Sequence, residues 1–561
     1  MTSSSSSLSF DFSQWPPEFT ADQLTELTRL ATTYSLAHGL LYLPPHPQPP
    51  PPPSAAPASA IHAPISLVPA PFPRKLFGEV KKLQRIYNVL YARIALDEEF
   101  LDRIMGEGGG VADVDDFTRQ LWRIWKELRD DGHAAESTHL GIFRSDYLLH
   151  APSPEEPISL RQVEFNTISS SFGALSERAA ALHRYLLAST DYYGSSPLLT
   201  PDNLPENGTT STIADALAAA HTAYGVKNAY ILFVVQPNER NVFDQRWIEY
   251  ELLERHSIKV IRQTFSELSQ SATIHPTNRK LTITTSTTTA EKEIAVIYYR
   301  AGYTPTDYPN PTYYQIRKRL ESSRATNCPT IALQLAGGKK VQQELTREGV
   351  LERFLLPREG AAGKGEGGGF GSVKFTREDV ESIRASWVPM WGLNEPGGVE
   401  RALSLSSSPS SPTPPSSSSE NPRIRGLVLK PQREGGGNNV YKEDIPAFLK
   451  GLDVEERAAW IAMAIIETPE RVGGYLVRAG ASSGSSSGTG EEKEYQKPVE
   501  VISELGIFGW ALFSGRQVES GIEMKEKEGE GGWLVRTKGK ESNEGGVAVG
   551  FSVLDSVVLV D

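Results

Sequence analysis

Apolar and polar side chains alternate with two different periods along this chain, and together they predict both helices and strands. Between residues 115 and 130 the apolar side chains recur at the helical spacing, and Leu121 and Trp125 fall on one face. Asp115 or Asp116 stands where a helix N-cap is expected, because a carboxylate accepts hydrogen bonds from the N–H groups of the first turn. This segment is therefore predicted to form a helix with one buried face.

A strand, a helix and another strand follow one another further along the chain. Residues 230–235 (YILFVV) form a continuous apolar run that is typical of a buried strand, and residues 244–256 have helical periodicity. Residues 258–265 (IKVIRQTF) and 294–299 (IAVIYY) again have the composition of strands. A strand, a helix and a strand in this order indicate a βαβ unit. The fold class is therefore predicted to be α/β or mixed α+β.

Five segments of low complexity interrupt these periodic stretches. Their composition cannot bury a core, so they are predicted to be disordered loop insertions in a folded body. They are the proline-rich residues 44–57, the glycine-rich residues 359–372, the Ser/Pro/Thr-rich residues 404–419, the Gly/Ser-rich residues 480–490 and the acidic residues 519–530.

Composition narrows the class of protein. The 561 residues correspond to roughly three or four domains of about 150 residues. The net charge of −12 argues against a non-specific nucleic-acid binder, which needs a basic surface. The single cysteine, Cys328, excludes an intramolecular disulfide and a cysteine-based zinc site. Neither a membrane span of about 18 apolar residues nor a targeting signal is recognisable, so we expect a soluble, cytoplasmic protein.

The strongest indication of chemistry lies in residues 430–441 (KPQREGGGNNVY), directly after the strand-like residues 426–429 (GLVL). Three glycines after a strand let the backbone approach an anion and offer N–H groups to phosphate oxygens. Lys430 would add a positive charge, and Glu434 could hold a Mg²⁺ that bridges the phosphates. The segment is not a Walker A motif, and a solvent-exposed glycine turn is the alternative.

Residues 161–178 (RQVEFNTISSSFGALSER) contain a second candidate site. Glu164 and Asn166 are two positions apart, so on a strand they face the same side and could hold a hard cation through oxygen atoms. Three serines follow, before a helix that we expect to start near Phe172. An ordinary strand followed by a helix N-cap is the alternative.

Single basic residues give weaker signals. Arg144 follows a short apolar run and could bind a substrate carboxylate through two hydrogen bonds, although a surface ion pair is the more common role of one arginine. Arg536 and Lys538 share one face of a predicted strand. Lys339 and Lys340 follow two glycines and could contact phosphate, with a solvated lysine pair as the alternative. No histidine motif or Ser/His/Asp spacing predicts a nucleophilic site.

Taken in order, these segments resemble eukaryotic glutathione synthetases. The resemblance extends from about residue 22 to about residue 555, with the low-complexity insertions between the matched blocks, and six motifs carry it. They are QVEFNTISSSFG, ERNVFDQR, QLAGGKKVQQEL, VLKPQREGGGNNVY, ISELGIFG and RTK followed by GGVA and GFSVLD. Six long motifs in one order are specific to this family.

The resemblance implies an ATP-grasp fold with an inserted α/β substrate-binding domain. The body would comprise residues 1–225 and residues 346–561, with a glycine-rich lid in the second part, and residues 226–345 would form the inserted domain. The implied reaction is the ATP-dependent ligation of γ-glutamylcysteine to glycine through an acyl phosphate, with Mg²⁺ as cofactor. The resemblance also implies a homodimer with small-molecule substrates only, and neither nucleic acid nor membrane as a partner.

The resemblance further implies roles for individual residues. Arg144 and Arg536 would be catalytic, and the metal would be held by Glu164, Asn166 and Glu434. The residues implied for ATP are Glu164, Lys339, Lys430, Pro431, Gln432, Arg433, Glu434, Gly435, Gly436, Gly437, Asn438, Asn439, Tyr441, Met463, Ala464, Ile465, Ile466, Glu504, Lys538 and Glu544. The residues implied for γ-glutamylcysteine and the product are Arg144, Ile168, Ser169, Ser170, Ser171, Glu239, Arg240, Asn241, Gln245, Arg300, Ala301, Gly302, Tyr303, Arg536, Val547 and Ala548.

Three positions depart from the family pattern. Residues 463–466 (MAII) lack the charged residues usual in the adenine-contacting block, which costs nothing if only backbone groups meet the adenine. Glu544 stands where an aspartate is usual, and Ala301 replaces an acidic residue in the R-D-G-Y pattern. The alternatives are an ATP-grasp ligase with another acceptor, a catalytically silent scaffold and a nucleotide-binding regulator. A silent relative would lack Glu164, Glu434 or Lys430, and all three are present.

Overall fold

The structure is a computed structural model, and it describes most of the chain. The described residues are 10–44, 59–132, 138–153, 156–285, 288–356, 374–406, 426–433, 437–479, 497–514, 531–542, 547 and 552–561. Four of the five low-complexity segments lie outside these ranges, apart from residue 44. The fifth, 404–419, is described only at residues 404–406, which form the end of a helix rather than part of a disordered insertion.

Helices form at the three places where the sequence predicts them and at further places along the chain. The helices of the described residues are α1 (Ala21–Ala37), α2 (Arg74–Leu96), α3 (Glu98–Met105), α4 (Asp116–Asp130), α5 (Gly173–Thr190), α6 (Thr209–Tyr224), α7 (Val242–His256), α8 (Phe265–Ser271), α9 (Pro311–Glu321), α10 (Ile331–Ala336), α11 (Lys339–Leu345), α12 (Val350–Leu355), α13 (Arg377–Ala385), α14 (Gly398–Ser406) and α15 (Ile445–Gly451). The three predicted helices are α4, α5 and α7. Asp115 caps α4 by accepting a hydrogen bond from the Thr118 N–H at 2.8 Å, so this predicted helix and its cap are confirmed.

Strands alternate with these helices along the chain and confirm the mixed α/β class. They are β1 (Leu41–Tyr42), β2 (Ile61–His62), β3 (Ile65–Ser66), β4 (Ala70–Pro73), β5 (Thr138–His150), β6 (Ser159–Asn166), β7 (Tyr230–Val234), β8 (Val260–Gln263), β9 (Ala272–Ile274), β10 (Leu281–Thr285), β11 (Thr288–Tyr299), β12 (Thr326–Cys328), β13 (Met390–Gly392), β14 (Leu427–Pro431), β15 (Val440–Tyr441), β16 (Trp460–Ala464), β17 (Gly473–Gly474), β18 (Leu476–Val477), β19 (Val499–Ser514), β20 (Trp533–Gly539), β21 (Ser552–Asp555) and β22 (Val557–Val560).

Two strand predictions need correction. The strand predicted over 258–265 is only β8, because Thr264 and Glu267 exchange hydrogen bonds in a capping box that starts α8. Arg144 and Lys430 were expected to follow short strands, but both lie inside longer ones, β5 and β14. Their side chains are therefore fixed by a sheet rather than carried by a loop.

The large sheet contains 14 described strands, and the long antiparallel pair of β5 and β19 lies within it. β7 and β8 pair in parallel with α7 between them, which confirms the predicted βαβ unit. The sheet is continuous through β12, which pairs in parallel with both β11 and β5. The strands of residues 226–345 therefore belong to the same sheet as β5, and the domain limits stay a prediction.

A smaller sheet, in the order β13, β16, β14, β15, has its own hydrophobic core with α14 and α15. Leu427 and Leu429 of β14 point into this small core, whereas Val428 belongs to the large core. Because side chains alternate along a strand, Lys430 shares the face of Val428. Lys430 is thus directed from the small sheet towards the large one.

Candidate active site

Four neighbouring strands of the large sheet carry polar residues on one face. Glu504 of β19 lies opposite Arg536 of β20, and Gly506 of β19 lies opposite Asp146 of β5. Asp146 in turn lies opposite Glu164 of β6. Since directly paired residues point to the same side of a sheet, the register alone gathers these side chains into one row.

Asp146 is the centre of this row. Its Oδ1 accepts a hydrogen bond from Arg144 Nε at 2.6 Å, and its Oδ2 accepts one from Arg144 Nη2 at 2.8 Å. Oδ2 also accepts from Arg536 Nη2 and from Asn166 Nδ2, each at 3.0 Å. Arg536 forms a second, shorter contact with Glu504. Arg144 therefore makes a buried two-point ion pair, not the surface pair that was the alternative.

Two lysines approach the same row at Glu164. Lys339 Nζ lies 2.9 Å from Glu164 Oε2, and Lys430 Nζ donates a hydrogen bond to the Val163 carbonyl oxygen at 3.0 Å. Lys339 comes from the start of α11 and Lys430 from the small sheet. The structure thus places two lysines from widely separated parts of the chain beside Glu164.

The two glutamates of the site have opposite electrostatic environments. Burial opposes ionisation of Glu164, but Lys339, Lys430 and Arg536 outweigh that effect and hold its pKa well below the usual range. Burial raises the pKa of Glu504, and the negative charges of Asp146 and Glu164 add to the rise against the attraction of Arg536. Glu164 is therefore a permanent anion at neutral pH.

The arginine between these carboxylates keeps its charge. Burial alone would lower the pKa of Arg536, yet Glu504 and Asp146 raise the pKa above that of a free guanidinium. The site therefore holds fixed positive charge at a place shielded from water, where charge interactions are stronger than at a surface.

Close packing explains the two glycines before Lys339. A Cβ on Gly337 would lie 2.3 Å from Thr167 Oγ1, and a Cβ on Gly338 would lie 2.7 Å from Met105 Cε. A Cβ on Gly337 would collide with Thr167, so this glycine lets the segment before α11 lie against the loop after β6, whereas Gly338 lies against the flexible end of Met105 in α3. The glycines thereby place Lys339 beside Glu164.

The three predicted serines form a tight loop between β6 and α5. Ser169 has φ 51° and Phe172 has φ 70°, both left-handed backbone conformations. Arg300 Nη2 donates to Ser171 Oγ at 2.7 Å and Arg300 Nη1 donates to the Ser170 carbonyl at 3.1 Å. Arg144 Nη1 donates to the Ser171 carbonyl at 3.3 Å. Two arginines predicted to bind substrate, Arg144 and Arg300, therefore donate hydrogen bonds to the same loop.

Asp244 supplies the cap that α5 lacks. Phe172, at the N-cap position of α5, offers no side-chain cap. Asp244 of α7 instead accepts hydrogen bonds from the Phe172 and Ala174 N–H groups at 2.9 and 3.0 Å, and it lies 3.5 Å from Arg300. One buried carboxylate thus fixes both the serine loop and Arg300.

The predicted substrate residues 239–241 and Gln245 lie around the start of α7. Glu239 accepts a hydrogen bond from the Asn241 N–H at 2.9 Å, and Gln245 Oε1 accepts one from Arg262 at 2.6 Å. Arg240 Nε donates to the Leu43 carbonyl oxygen at 3.2 Å. These contacts order the side chains within the protein before any substrate binds.

A turn at residues 300–303 follows β11. Gly302 has φ +92°, and Asp307 accepts hydrogen bonds from the Gly302 and Tyr303 N–H groups at 2.8 and 3.2 Å. Ala301, where the family has an acidic residue, is 1% exposed. Asp307 is the acidic group that orders this turn.

The predicted adenine-contacting block, residues 463–466, covers the last two residues of β16 and the two residues after it. The Ala464 N–H donates to the Pro389 carbonyl and the Ile465 N–H to the Gly426 carbonyl, each at 2.9 Å. Met463 lies in the large core. Of the backbone N–H groups in this block, those of Ala464 and Ile465 are therefore already used by neighbouring segments.

Several other predicted ATP residues lie on the small sheet and its loops. Gln432 Oε1 accepts from the Lys340 N–H at 3.0 Å, and Arg433 pairs with Asp115. Asn439 donates to Tyr441 Oη at 3.0 Å. The predicted residues Glu434, Gly435, Gly436, Glu544 and Ala548 lie outside the described part of the chain, whereas Gly437, Asn438, Ile168, Ile466, Pro431, Lys538 and Val547 are described.

The donor set at β6 fits a magnesium ion in part. Glu164 is ionised, and Asn166 uses its amide nitrogen for Asp146, which leaves its amide oxygen as the group for a cation. Among the described residues, no three His, Cys, Asp or Glu side chains form a metal cluster. A complete site therefore needs a further oxygen ligand, and Glu434 is the residue that the sequence predicts.

Three residues of this site were not predicted from the sequence. Asp146, two positions after Arg144 on the same strand face, could have been found from that spacing. Gly506 and Asp244 lie inside quoted motifs, but no local signal gives their roles. Both act on residues that are distant in sequence, so only the register and the packing show them.

Among the residues that the structure describes, no helix combines the length and the apolar character that crossing a membrane requires.

Comparison with known proteins gives a consistent result. A family model described as "Eukaryotic glutathione synthase, ATP binding domain" matches residues 21–559. The glutathione synthetase of Homo sapiens is 36% identical over 95% of this chain and 96% of its own. The chloroplastic glutathione synthetase of Solanum lycopersicum is 35% identical over 89% of this chain and 78% of its own. The glutathione synthetase large chain of Schizosaccharomyces pombe is 34% identical over 97% of this chain and 99% of its own.

A solved structure also has a similar fold. It is a glutathione synthetase-like effector from Globodera pallida in its apo form, with a TM-score of 0.67 and 22% sequence identity. The superposition covers 97% of this chain and 98% of the effector.

Proposed function

This chain belongs to the eukaryotic glutathione synthase family, and from that premise we propose how its residues carry out the reaction. The chain is an ATP-dependent ligase of glutathione synthesis. In our proposal it joins γ-glutamylcysteine to glycine and releases ADP and phosphate.

One observation carries the proposed mechanism. Lys339, Lys430, Arg144 and Arg536 converge on one row of carboxylates at the junction of the two sheets, although they come from four separate segments. Phosphoryl transfer needs such fixed positive charge around the transferred group, because the protein contributes mainly position and charge neutralisation.

The proposed chemistry has two steps. A carboxylate is a poor electrophile, so the γ-glutamylcysteine carboxylate first attacks the terminal phosphorus of ATP, and an acyl phosphate forms as ADP leaves. The glycine amine then attacks the acyl carbon and phosphate leaves with the C–O electron pair. The amine loses one proton in this step. No side-chain nucleophile is needed, and the enzyme's contribution is orientation and electrostatic stabilisation.

We assign the basic residues as follows. Lys339 and Lys430 contact the ATP phosphates, and Arg144 and Arg536 face the substrate carboxylate and the transferred phosphoryl group. Glu164, Asn166 and Glu434 would hold Mg²⁺, which supplies charge neutralisation on the phosphate oxygens when it is bound. The residues around β14, β16 and β19 that the resemblance implies for ATP complete this side of the site.

The serine loop is the proposed γ-glutamylcysteine side of the site. Residues 169–171 lie between Arg144 and Arg300, which both donate hydrogen bonds to this loop, and the predicted substrate residues Glu239 and Tyr303 interact electrostatically with Arg300. Two guanidinium groups at one loop suit a substrate that carries carboxylates. Val547 and Ala548 belong to the proposed glycine end.

Four further properties complete the proposal. We propose a homodimer, a cytoplasmic location, Mg²⁺ as the cofactor and an inserted substrate-binding domain at residues 226–345. Sedimentation of the purified chain, microscopy of a tagged chain and metal titration are the direct measurements.

One assay tests the function. We expect ADP release with γ-glutamylcysteine and ATP to rise strongly on adding glycine, and the product to have the mass of glutathione. An equal mixture of glycine and β-alanine should give mainly glutathione, because one extra carbon usually costs about 1–3 kcal/mol in a fitted pocket. A majority of the β-alanine product would identify a ligase with another acceptor. ATP binding without turnover would identify a nucleotide-binding regulator.

A further inference from the structure

Asp146 is a buried carboxylate whose contacts come from three strands. It is 0% exposed, and it accepts four hydrogen bonds, two from Arg144 and one each from Arg536 and Asn166. A buried charge is costly unless it is fully hydrogen-bonded. Removing the negative charge of Asp146 would leave Arg144 without its carboxylate partner, and Arg536 would keep Glu504. Asp146 therefore fixes the positions of the guanidinium groups of Arg144 and Arg536.

The contacts of Asp146 use one edge of the Arg144 guanidinium. Nε and Nη2 of Arg144 both bind Asp146, whereas Nη1 points to the Ser171 carbonyl at 3.3 Å. The planar fork of an arginine has a fixed geometry, so holding one edge also sets the direction of the other. Asp146 thus turns Nη1 of Arg144 towards the serine loop.

Arg536 is held by two acceptors on the same nitrogen. Its Nη2 contacts Asp146 Oδ2 at 3.0 Å and also contacts Glu504. Within the described residues, its Nε and Nη1 donate no hydrogen bond that a ligand would have to displace. Asp146 and Glu504 therefore fix this arginine from one side and leave its other donors for an anion.

Gly506 provides the space in which the Arg144–Asp146 pair lies. It is directly opposite Asp146 in the β5–β19 pairing. A Cβ at Gly506 would lie 2.8 Å from both Arg144 Cδ and Asp146 Oδ1. Gly506 is not among the residues with positive φ, so the glycine is explained by these close contacts and not by its backbone conformation.

We propose that Asp146 is a positioning residue, which holds the guanidinium groups of Arg144 and Arg536 in the orientation that the ligase reaction needs, and that Gly506 leaves room for this pair. The inference rests on the proposed function, since that function gives the two arginines their role. Asp146 does not touch the reacting atoms in this view. It acts through the arginines.

The first experiment compares two substitutions that each neutralise a buried carboxylate. Asp146→Asn keeps the shape of the side chain but removes its charge. Glu321→Gln is the control, because Glu321 also pairs with a buried arginine, Arg317, at 3.4 Å. Glu321 and Arg317 have no place in the proposed site. Both variants are purified as the full chain, and the folded fraction is measured by thermal unfolding before the assay.

We expect Asp146→Asn to lower kcat per folded enzyme by about 100-fold, the scale on which removal of one charge-stabilising group acts. The KM for ATP should change by less than about threefold, because Lys339 and Lys430 do not contact Asp146. Glu321→Gln should keep the kcat of the wild type. Asp146→Asn with a normal kcat per folded enzyme would overturn the inference.

The second experiment displaces the same pair without changing any charge. Gly506→Ala places a methyl group against Arg144 and Asp146, whereas Gly539→Ala, on the neighbouring strand β20, places one where no atom lies within 4 Å. We expect Gly506→Ala to lower kcat at least about tenfold and Gly539→Ala to leave it unchanged. Equal kcat values for these two variants would contradict the inference.

Coupling between residues separates positioning from a purely structural role. If Asp146 acts through Arg536, the loss of kcat in the double variant with Asp146→Asn and Arg536→Lys should be far smaller than the product of the two single losses. Full multiplication of the two losses would count against the inference. Failure of both Asp146→Asn and Gly506→Ala to fold, with folded controls, would also overturn it in favour of a structural role.

The assay of the wild-type enzyme distinguishes failure of the proposed function from failure of the positioning role. Absence of glutathione from the wild-type reaction would overturn the proposed function, and the positioning role would fall with it. Normal wild-type turnover together with a fully active Asp146→Asn would overturn only the positioning role.

Discussion

Glu164 and Glu504 are two carboxylates of one site with different neighbours. Lysines and Arg536 hold the pKa of Glu164 low despite its burial, whereas burial and two neighbouring anions raise the pKa of Glu504. Glu164 is thus suited to bind a cation, whereas burial and the neighbouring anions oppose the ionisation of Glu504.

Substitution of Glu164 tests its role as a cation ligand. Glu164→Gln keeps one oxygen donor but loses the charge, so we expect kcat/KM for ATP to fall by about 100-fold at limiting Mg²⁺. Part of this loss should be recovered at saturating Mg²⁺. A Mg²⁺ dependence identical to that of the wild type would contradict the assignment. The measurement is initial rate against Mg²⁺ concentration.

Arginine geometry gives the second test at this scale. Arg144 binds Asp146 through two nitrogens, and a lysine can offer only a point charge. We expect Arg144→Lys and Arg536→Lys each to lower kcat by at least about tenfold. Arg29→Lys is the control, because Arg29 forms only an exposed helix pair with Glu26. The test is the steady-state kinetics of the three variants. Normal activity in Arg144→Lys would contradict the need for its two-point contact, and normal activity in Arg536→Lys would contradict the role assigned to Arg536.

At the scale of elements, α5 depends on a residue outside itself. Its first N–H groups bind Asp244 of α7, because Phe172 at the N-cap position has no suitable side chain. The helix that presents the serine loop is therefore tied to the helix that carries residues 242–256.

Loss of this cap should destabilise the fold. We expect Asp244→Asn to lower the free energy of unfolding by about 2–4 kcal/mol, because it weakens a buried cap and the compensation of Arg300. Thr20→Ala removes the exposed cap of α1 and should cost about 1 kcal/mol. Urea unfolding of both variants gives the comparison. A smaller loss for Asp244→Asn than for Thr20→Ala would show that the cap contributes little.

Local sequence predicts elements well where the signal lies inside them. The N-cap of α4 and the βαβ unit around α7 were predicted from spacing alone, because both are set by neighbours in sequence. The end of β8 was misplaced because the residues after it have strand-like composition. There the capping box of Thr264 and Glu267 outweighs β propensity and starts α8.

At the scale of the whole molecule, the stability should depend on pH through Asp555. This carboxyl is buried at the end of β21 and accepts hydrogen bonds from Thr537 Oγ1 at 2.6 Å and the Ser556 N–H at 2.7 Å. Burial raises its pKa from 3.8 to about 7, against the lowering effect of those hydrogen bonds. At a pH between these two values, the folded state therefore keeps a proton on Asp555 that the unfolded chain has lost.

The sign of the effect follows from this proton. Between pH 4 and pH 7 the folded state binds more protons at Asp555 than the unfolded state, so the contribution of Asp555 to stability falls as pH rises. The total change is at most about 4 kcal/mol. Asp555→Asn should lack this change, so its stability relative to the wild type should improve from pH 4.5 to pH 8. The midpoints of urea unfolding of both proteins at pH 4.5 and pH 8 measure this difference in stability. A difference that is independent of pH would contradict the prediction.

The sequence by itself determined the mixed α/β class, the family, and the strands and loops that carry most of the proposed site residues. Helical and strand periods, caps and motif order are properties of nearby residues, which a linear reading contains. Glu164 and Asn166 could be placed on one strand face in this way. The same reading gave Arg144 and Arg536 only as separate, weak signals.

Only the tertiary structure decided how those signals combine. Arg536 and Asp146 are 390 positions apart, and Lys430 and Val163 are 267 apart, so no local pattern can bring them together. The central role of Asp146, the need for glycine at Gly506 and the cap that Asp244 gives to α5 all depend on sheet register and packing between distant segments. The physical reason is that charges far apart in sequence interact strongly only when folding brings them into contact and buries them away from water.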